Sequence, residues 1–302
     1  MRVLEGVEYV EEPGFVHIDF DGDFDCVSSA PGGGILRGIS RISFGDYEDC
    51  DLALPCARSD SVRTASGEFG RTRVFAAAFS DLRDGLARAG EDCARGGGMT
   101  HVLLVLDCGT PDYGMLRATV TANEAVTTVV QDLLLRSDDG VHAASGSVCQ
   151  SITVVRRNDS PLVLNGTGKH SKLGQLIGTA VRRAVLDSAS ANGVFAGIDA
   201  DAMVMLGRYG YDSEALFRMS GCRDLNAFSV SLDRMSMEPK VAAAVSAALF
   251  VSDEMDWGLV PEDDGRCVIE GLLSEMFGYG DKVGDPVRAV ADALAAAAAD
   301  RI

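Results

Sequence analysis

The segment THVLLVLD, at Thr100–Asp107, constrains the fold of this chain more than any other. Its apolar residues follow one another without the polar–apolar alternation of a half-exposed strand. A run of this length and composition is typical of a strand that other layers cover on both faces. Three glycines, Gly96–Gly98, break the chain just before it. The sequence therefore predicts a layered fold with this strand in its interior.

A long amphipathic helix is predicted directly after this strand, over Tyr113–Leu135, with Asp112 as its N-cap. Polar residues at steps of three and four, including Glu124 and Thr128, form one face of this helix. The apolar residues recur at helical spacing on the opposite face, at Met115, Ala118, Ala122, Val126, Val129 and Leu133. The helix is therefore expected to pack on the sheet that contains the buried strand.

Further strands are predicted on both sides of this strand–helix pair. They are Phe15–Phe20, Ile35–Phe44, Arg73–Phe79, Ser151–Val155 and the short Leu162–Leu164. Strands and helices that alternate irregularly are typical of an α/β (or α+β) fold. The expected fold class is a mixed β-sheet core with packed helices.

After about residue 190 the pattern becomes helical. We predict helices over Asp212–Ser220, Lys240–Val251, Arg266–Phe277 and Asp285–Arg301. The last has Asp285 as N-cap and Pro286 at its first helical position. Residues 1–190 are thus expected to form the α/β domain, and residues 191–302 a helical C-terminal extension packed on this core. The helices of residues 240–301 also offer a surface for homo-oligomerisation.

The chain is strongly acidic, with a formal net charge of −18. Nucleic-acid binding needs clustered Lys and Arg, so this charge argues against a nucleic-acid partner. No run of 18 apolar residues occurs, and MRVLEGVEYV lacks the features of a signal peptide. We therefore expect a cytoplasmic protein with no membrane partner. The eight cysteines are scattered without a C-x-x-C pair, so reduced thiols and no metal site are expected.

The segment NGTGKHSKLG, at Asn165–Gly174, is the strongest candidate for a ligand-binding turn. A Walker phosphate loop needs a glycine at position 163 and a hydroxyl residue after the lysine, but Val163 and His170 stand there. The segment is therefore predicted to be a tight turn that opens a helix over Leu173–Leu186. It would present three polar side chains to a polar or anionic ligand: Lys169, His170 and Lys172.

The histidines leave alternatives open. His17 and His101 lie in strand patterns, which favours structural roles, and His142 lies in a polar loop where solvation alone explains it. His170 differs because it stands in a glycine-bounded turn between a strand and a helix. The pattern is equally consistent with a functional His170 and with a His170 side chain that is only solvated.

Other candidates for chemistry are a carboxylate and two hydroxyls. Glu124 would act as a general base if it were desolvated, but a solvated helix face explains it as well. Ser28 and Ser29 precede the APGGG turn and would supply a nucleophile or line an anion-binding turn. The G-x-S-x-G pattern of serine hydrolases is absent.

Several segments together resemble one family, the adenosylcobinamide amidohydrolases of cobinamide salvage. They are CVSSAPGGGILRG (26–38), RAGED (88–92), the block from His101 to Leu135 around TVTANEAVTTVVQDL, and GTGKHSKLGQLIGTAV (166–181). These segments occur in the family's order and cover about residues 15–190. The N-E-A-x-T-T-x-x-Q-D helix and the G-K-H-S-K-L-G turn are the most specific of them. Residues 191–302 lie outside the resemblance.

The resemblance implies hydrolysis of the amide that links the aminopropanol arm to the corrin ring of adenosylcobinamide. The product would be adenosylcobyric acid, which re-enters coenzyme B12 assembly, so the corrinoid is a substrate and no cofactor is implied. Within the matching motifs we expect Glu124, His170 and Lys172 to be catalytic. Glu124 or His170 would activate water, and a lysine would stabilise the oxyanion. Substrate-binding roles are expected for Ser28, Ser29, Asn123, Thr128, Gln150 and Lys169.

One segment departs from the family's usual Gly-Thr-Gly-Thr-Asp run. Here Ser145–Gln150 reads SGSVCQ, so Gln150 replaces the acid and Val148 a glycine. Two alternatives to the amidohydrolase therefore stay open: a diverged corrinoid-binding protein without catalysis, and an amidohydrolase for another small amide.

Overall fold

The computed structural model describes the chain except at residues 46–48, 91–95, 134, 136, 139–142, 195–200 and 208. The prediction for His142 lies outside the described residues. The chain divides into two compact units. The N-terminal unit comprises Met1–Asp138 and Ala144–Val194, and the C-terminal unit contains the described residues from 201 to 302.

The N-terminal unit is built mainly of strands. Its strands are β1 (Arg2–Leu4), β2 (Val7–Glu12), β3 (Phe15–Phe20), β4 (Phe24–Ser28), β5 (Gly34–Arg37), β6 (Arg41–Phe44), β7 (Leu52–Leu54), β8 (Arg63–Phe69), β9 (Thr72–Asp81), β10 (Leu86–Ala87), β11 (Met99–Leu106), β12 (Gly146–Ser147) and β13 (Cys149–Arg157). Its helices are α1 (Asp112–Asp132) and α2 (Lys172–Ala191).

The strands form a central and an outer sheet, and β10 and β12 pair with each other in a separate two-stranded sheet. The central sheet has the order β5-β4-β13-β11-β9-β8 and the outer sheet the order β1-β2-β3-β6-β7. Strands β11 and β13 are parallel neighbours, because α1 lies between them in the chain and crosses over the sheet. The remaining pairs of the central sheet are antiparallel, so this sheet is mixed.

The central sheet is covered on both faces. Val102 and Leu104 of β11 pack in the core beneath α1 and α2, whereas Leu103 and Val105 pack in the core shared with the outer sheet. All four side chains are fully buried, which explains why β11 has no polar–apolar alternation. The predicted interior strand and the α/β fold with a mixed sheet and C-terminal helices are confirmed.

Three local predictions are wrong. The single strand expected over Ile35–Phe44 is divided between β5 and β6 by Gly38, whose φ of +62° turns the chain from the central to the outer sheet. Asp112 does not cap α1, because Pro111 is the N-cap residue. The strand expected over Leu162–Leu164 reduces to a single bridge between Gly109 and Val163.

The C-terminal unit is helical in its described part. Its helices are α3 (Ala202–Gly207), α4 (Ser213–Ser220), α5 (Leu225–Ser236), α6 (Pro239–Asp256), α7 (Glu262–Phe277) and α8 (Pro286–Ala299). Asp285 caps α8 and Pro286 is its first residue, as predicted. Helices α3 and α5 were not predicted. Among the described helices, none has the length and apolar character needed to cross a bilayer.

Candidate active site

The solvent side of helix α1 carries the candidate site. Asn123 and Glu124 are consecutive residues, so their side chains leave the helix roughly 100° apart. Asn123 faces strand β13 and contacts Gln150, whereas Glu124 faces the turn before α2 and contacts Lys169. Each flank of α1 therefore carries one contact between two expected site residues.

On the first flank, Gln150 is held by hydrogen bonds at both ends of its amide. Its Nε2 donates to Asn123 Oδ1 at 2.6 Å, and its Oε1 accepts from the backbone N–H of Ser147 at 3.2 Å. A Cβ atom at Gly146 would lie 2.3 Å from Gln150 Oε1, so a side chain at this position would displace the Gln150 amide. The segment that departs from the family pattern is therefore locally well fitted to glutamine.

On the second flank, two threonines attach the turn to α1. Thr121 Oγ1 donates to the Thr167 carbonyl at 2.9 Å, and Thr167 Oγ1 donates to the Gly114 carbonyl at 2.8 Å. Both threonines are buried. Because these bonds fix residue 167 against the middle of α1, the residues that follow it are positioned over the helix surface.

The turn passes into α2 through a serine cap and a close backbone approach. Ser171 is the N-cap residue, and its Oγ accepts from the Gly174 N–H at 3.0 Å. A Cβ atom at Gly174 would lie 1.9 Å from the Gly168 carbonyl oxygen. Only glycine fits there, which accounts for the last glycine of NGTGKHSKLG.

The polar side chains of this turn border α1. Lys169 Nζ lies 2.9 Å from Glu124 Oε1, and the two side chains are 73% and 44% exposed. A Cβ atom at Gly168 would lie 3.2 Å from both Arg117 Nε and His170 Cε1. His170 and Arg117 therefore flank Gly168, and Arg117 precedes Glu124 on α1 by about two helical turns.

Lys172 points to a different place. Its Nζ contacts Gln175 Oε1 at 2.9 Å and lies 4.6 Å from the centre of the Phe69 ring on β8. These contacts stabilise the cation over an aromatic face. In this arrangement Lys172 is engaged on the β8 side of α2 rather than with Glu124.

The three hydroxyls expected at the site make internal hydrogen bonds. Thr128 Oγ1 donates to the Glu124 carbonyl within α1. Ser28 Oγ shares a 2.7 Å hydrogen bond with Thr153 Oγ1, and Ser29 Oγ accepts from the Ile152 N–H at 3.0 Å. The two serines thus extend the pairing of β4 with β13.

Large apolar side chains are exposed along the same face of α1. Tyr113, Leu116 and Val120 stand at helical spacing and are each more than half exposed. Ile35 of β5 and Val163, beside Gly109, are 61% and 65% exposed. Isolated exposed apolar residues need no explanation, but three on one helix face form an apolar surface beside Glu124.

A network of two largely buried and two half-exposed charged side chains supports the N-terminal end of α1. Arg156 of β13 donates to Asp25 at 2.9 Å and to Asp112 at 2.8 Å, and Arg37 contacts the same two carboxylates. Burial by itself raises the pKa of Asp25, but the hydrogen bonds from Arg156 and Arg37 outweigh it and hold this pKa at about 2. No local pattern in the sequence predicted this network, because its contacts join residues of separate elements that are 12 to 131 positions apart.

Among the described residues, no group of three His, Cys, Asp or Glu side chains is arranged so that it could hold a metal ion. The polar groups of the site are a carboxylate, a lysine, an imidazole and two amides. They are suited to binding a polar group and to transferring protons.

Comparison with known proteins bears on this site. A family model described as adenosylcobinamide amidohydrolase (CbiZ) matches residues 56–194. This range contains α1, β13 and the turn before α2, and it confirms the resemblance for the motifs within it. The motif at residues 26–38 lies outside the matched range. An uncharacterized protein of Methanocaldococcus jannaschii is 33% identical over 92 residues, which are 30% of this chain and 35% of that protein. The match thus spans about a third of the relative's length.

Proposed function

Because a family model described as adenosylcobinamide amidohydrolase matches residues 56–194, we propose that this chain hydrolyses the aminopropanol amide of adenosylcobinamide. Water adds to the amide carbonyl, the C–N bond breaks, and the products are adenosylcobyric acid and aminopropanol. The reaction would serve the salvage of corrinoids for coenzyme B12.

The contact between Glu124 and Lys169 carries this proposal. It joins two segments of the matched range that are 45 residues apart, and it leaves both polar groups accessible to a ligand. The apolar side chains Tyr113, Leu116 and Val120 lie on the same helix. A corrin ring offers a large apolar rim with polar amide arms, so such a surface beside polar groups fits it.

The proposed proton transfers use the polar side chains Glu124, Lys169 and His170, which form the polar edge of this surface. Glu124 or His170 takes a proton from the attacking water, and the same group returns it to the leaving amine. Lys169 stabilises the negative charge that develops on the carbonyl oxygen. Lys172 keeps its proposed place in catalysis only if substrate binding draws it away from Phe69, where its Nζ now lies 4.6 Å from the ring centre.

A second candidate function is corrinoid binding without catalysis. Gln150 favours it, because a glutamine bonded to Asn123 at 2.6 Å cannot supply the carboxylate that stands there in the family. A hydrolase for a smaller amide is the third candidate, because the polar groups at the site do not define the size of the substrate.

Incubation with adenosylcobinamide in the dark separates the three candidates. Adenosylcobyric acid, followed by liquid chromatography and mass spectrometry, is the result expected for the amidohydrolase. A spectral shift of the corrinoid without product would support the binding protein instead. If neither the product nor a spectral shift is observed, both corrinoid functions are contradicted, and hydrolysis of a smaller amide is the remaining candidate.

A further inference from the structure

Cys149, His101 and Ser151 lie together at one end of the parallel pair β11–β13. The register of the two strands places His101 beside Ser151 and Met99 beside Cys149. Alternation along β13 directs Cys149 and Ser151 to the face of the central sheet that looks toward the outer sheet. Gln150, between them, is directed to the α1 side and contacts Asn123.

The imidazole of His101 contacts both neighbours. Its Nδ1 is 2.7 Å from Ser151 Oγ, and its Nε2 is 3.8 Å from Cys149 Sγ. His101 is fully buried, whereas Cys149 is solvent-exposed. The thiol is therefore open to a ligand on one side and faces a fixed ring nitrogen on the other.

Burial lowers the pKa of His101 to about 4, so the ring is neutral near pH 7. A neutral imidazole that donates from Nδ1 to Ser151 Oγ keeps a lone pair on Nε2, toward the thiol. A nucleophile, a base and a residue that orients the base are thus present in the order that covalent catalysis requires.

We propose that Cys149 is a nucleophile that accepts an acyl group, with His101 as its base and Ser151 as the residue that orients the imidazole. The Sγ–H proton passes to His101 Nε2 while Sγ bonds to the carbonyl carbon. The C–N bond then breaks, and the leaving amine takes that proton. Water next hydrolyses the thioester, with His101 again carrying the proton, and this step releases the acid and restores the thiol.

The inference takes its amide substrate from the proposed function, but its chemistry is independent of the corrinoid. In the acyl-enzyme route, the carbonyl of the corrin arm is bonded to Cys149, and His101 takes the place of Glu124 or His170 as the group that transfers protons. The nucleophile can therefore be tested with a small acyl donor that makes no use of the α1 surface.

The first experiment treats the protein with p-nitrophenyl acetate at pH 7.5 and locates acetyl groups by peptide mass spectrometry. Cys267 of α7 is the internal control, because it is also an exposed thiol. We expect Cys149 to be acetylated at least about tenfold faster than Cys267. A positioned base contributes roughly 10²–10⁴-fold, and the lowered pKa of His101 weakens it as a base and places the gain at the low end of this range. Equal rates at the two cysteines overturn the assignment.

Variants distinguish the effect of the base on the acetylation rate of Cys149 from the effect of the thiol's exposure. His101→Gln is expected to lower acetylation of Cys149 to the rate of Cys267 and to leave Cys267 unchanged. Ser151→Ala keeps the imidazole and is expected to lower the Cys149 rate by a smaller factor. If His101→Gln does not fold, as judged by circular dichroism, Ser151→Ala decides. An unchanged Cys149 rate in a folded variant of either kind contradicts the proposal.

The corrinoid reaction supplies the second test, with Cys149→Ala. Loss of adenosylcobinamide turnover in this variant supports the acyl-enzyme route, whereas turnover equal to the parent overturns it and leaves the proposed function intact. If the parent itself does not turn over adenosylcobinamide, the proposed function fails, and the acetylation of Cys149 alone decides the inference.

Discussion

Gln150 of β13 donates a hydrogen bond to Asn123 of α1, with 2.6 Å between Nε2 and Oδ1. This contact joins the central sheet to the helix that carries Glu124. Gln150 places a neutral amide at the position where the family resemblance implies a carboxylate. An amide can orient water but cannot take its proton.

We expect Gln150→Asp to raise the turnover of adenosylcobinamide by at least about tenfold, because a positioned acid or base contributes roughly 10²–10⁴-fold. Asn123 would then donate from its own amide nitrogen to the new carboxylate. Gln150→Ala is the control, since it removes the amide without adding an acid. Equal rates in the Asp and Ala variants would show that the carboxylate has no part in the reaction.

Glu124→Gln tests the polar edge of the apolar surface. The exposed pair with Lys169 contributes little to folding, roughly 0–1 kcal/mol, so the variant should unfold at nearly the parent's denaturant midpoint. Its turnover should fall at least about tenfold if Glu124 transfers a proton. Asp187→Asn is the matched control, because Asp187 pairs with Arg183 on α2 away from the site. Similar kinetics in both variants would contradict a role of Glu124 in proton transfer.

Two glycines of α2 offer a matched test of the turn. Gly174→Ala would place a Cβ 1.9 Å from the Gly168 carbonyl, whereas nothing lies within 4 Å of a Cβ at Gly178. We expect Gly174→Ala to destabilise the N-terminal unit by about 1–3 kcal/mol and to impair turnover. Gly178→Ala should stabilise it by up to about 1 kcal/mol through helix propensity.

Hydrogen exchange at the β11 amides is the appropriate measurement, because the single tryptophan, Trp257, lies in the C-terminal unit. Faster exchange in Gly174→Ala and slower exchange in Gly178→Ala are expected. The same change in both variants would contradict the close approach of Gly174 to Gly168.

His101 makes the stability of the N-terminal unit depend on pH. Its pKa is about 4 in the folded protein and near 6.5 when unfolded. Between these values the unfolded chain binds a proton that the folded one excludes. The stability that the neutral ring preserves is therefore complete above pH 6.5 and is lost as the pH falls toward 4.

His101→Gln should remove this dependence. At each pH, the ratio of β11 amide exchange rates in parent and variant gives the difference in stability and cancels the intrinsic effect of pH on exchange. The difference is expected to change between pH 6.5 and 4 and to be constant above 6.5. A constant difference across the whole range would contradict the buried neutral imidazole.

Homo-oligomerisation through the C-terminal helices remains a prediction. Val230 of α5, Phe250 of α6 and Val268 of α7 are exposed apolar side chains of this unit. We expect the full chain to be larger than a monomer by light scattering and Phe250→Glu to shift it toward the monomer. Glu262→Lys on α7, a substitution of an exposed polar residue, is the control. A monomeric parent would refute the prediction.

Local patterns predicted those parts of the fold that local physics decides. The uninterrupted apolar run of β11 indicated burial on both faces, and the Asp285–Pro286 pair marked the start of α8. The break at Gly38 was missed, because φ is not readable from a strand-like composition around one glycine. The cap of α1 was misassigned because Asp112 is held by Arg37 and Arg156 instead, and these are distant in the chain.

By itself the sequence determined the α/β class and the motifs that carry the family resemblance. It also predicted Glu124 on one helix and Lys169 and His170 in one turn as site residues. Only the tertiary structure decided which of them meet. Adjacent residues on a helix diverge by roughly 100°, so Asn123 and Glu124 serve opposite flanks of α1. Parallel pairing brings His101 to Cys149 across 48 residues, a contact that depends on strand register and that no local pattern encodes.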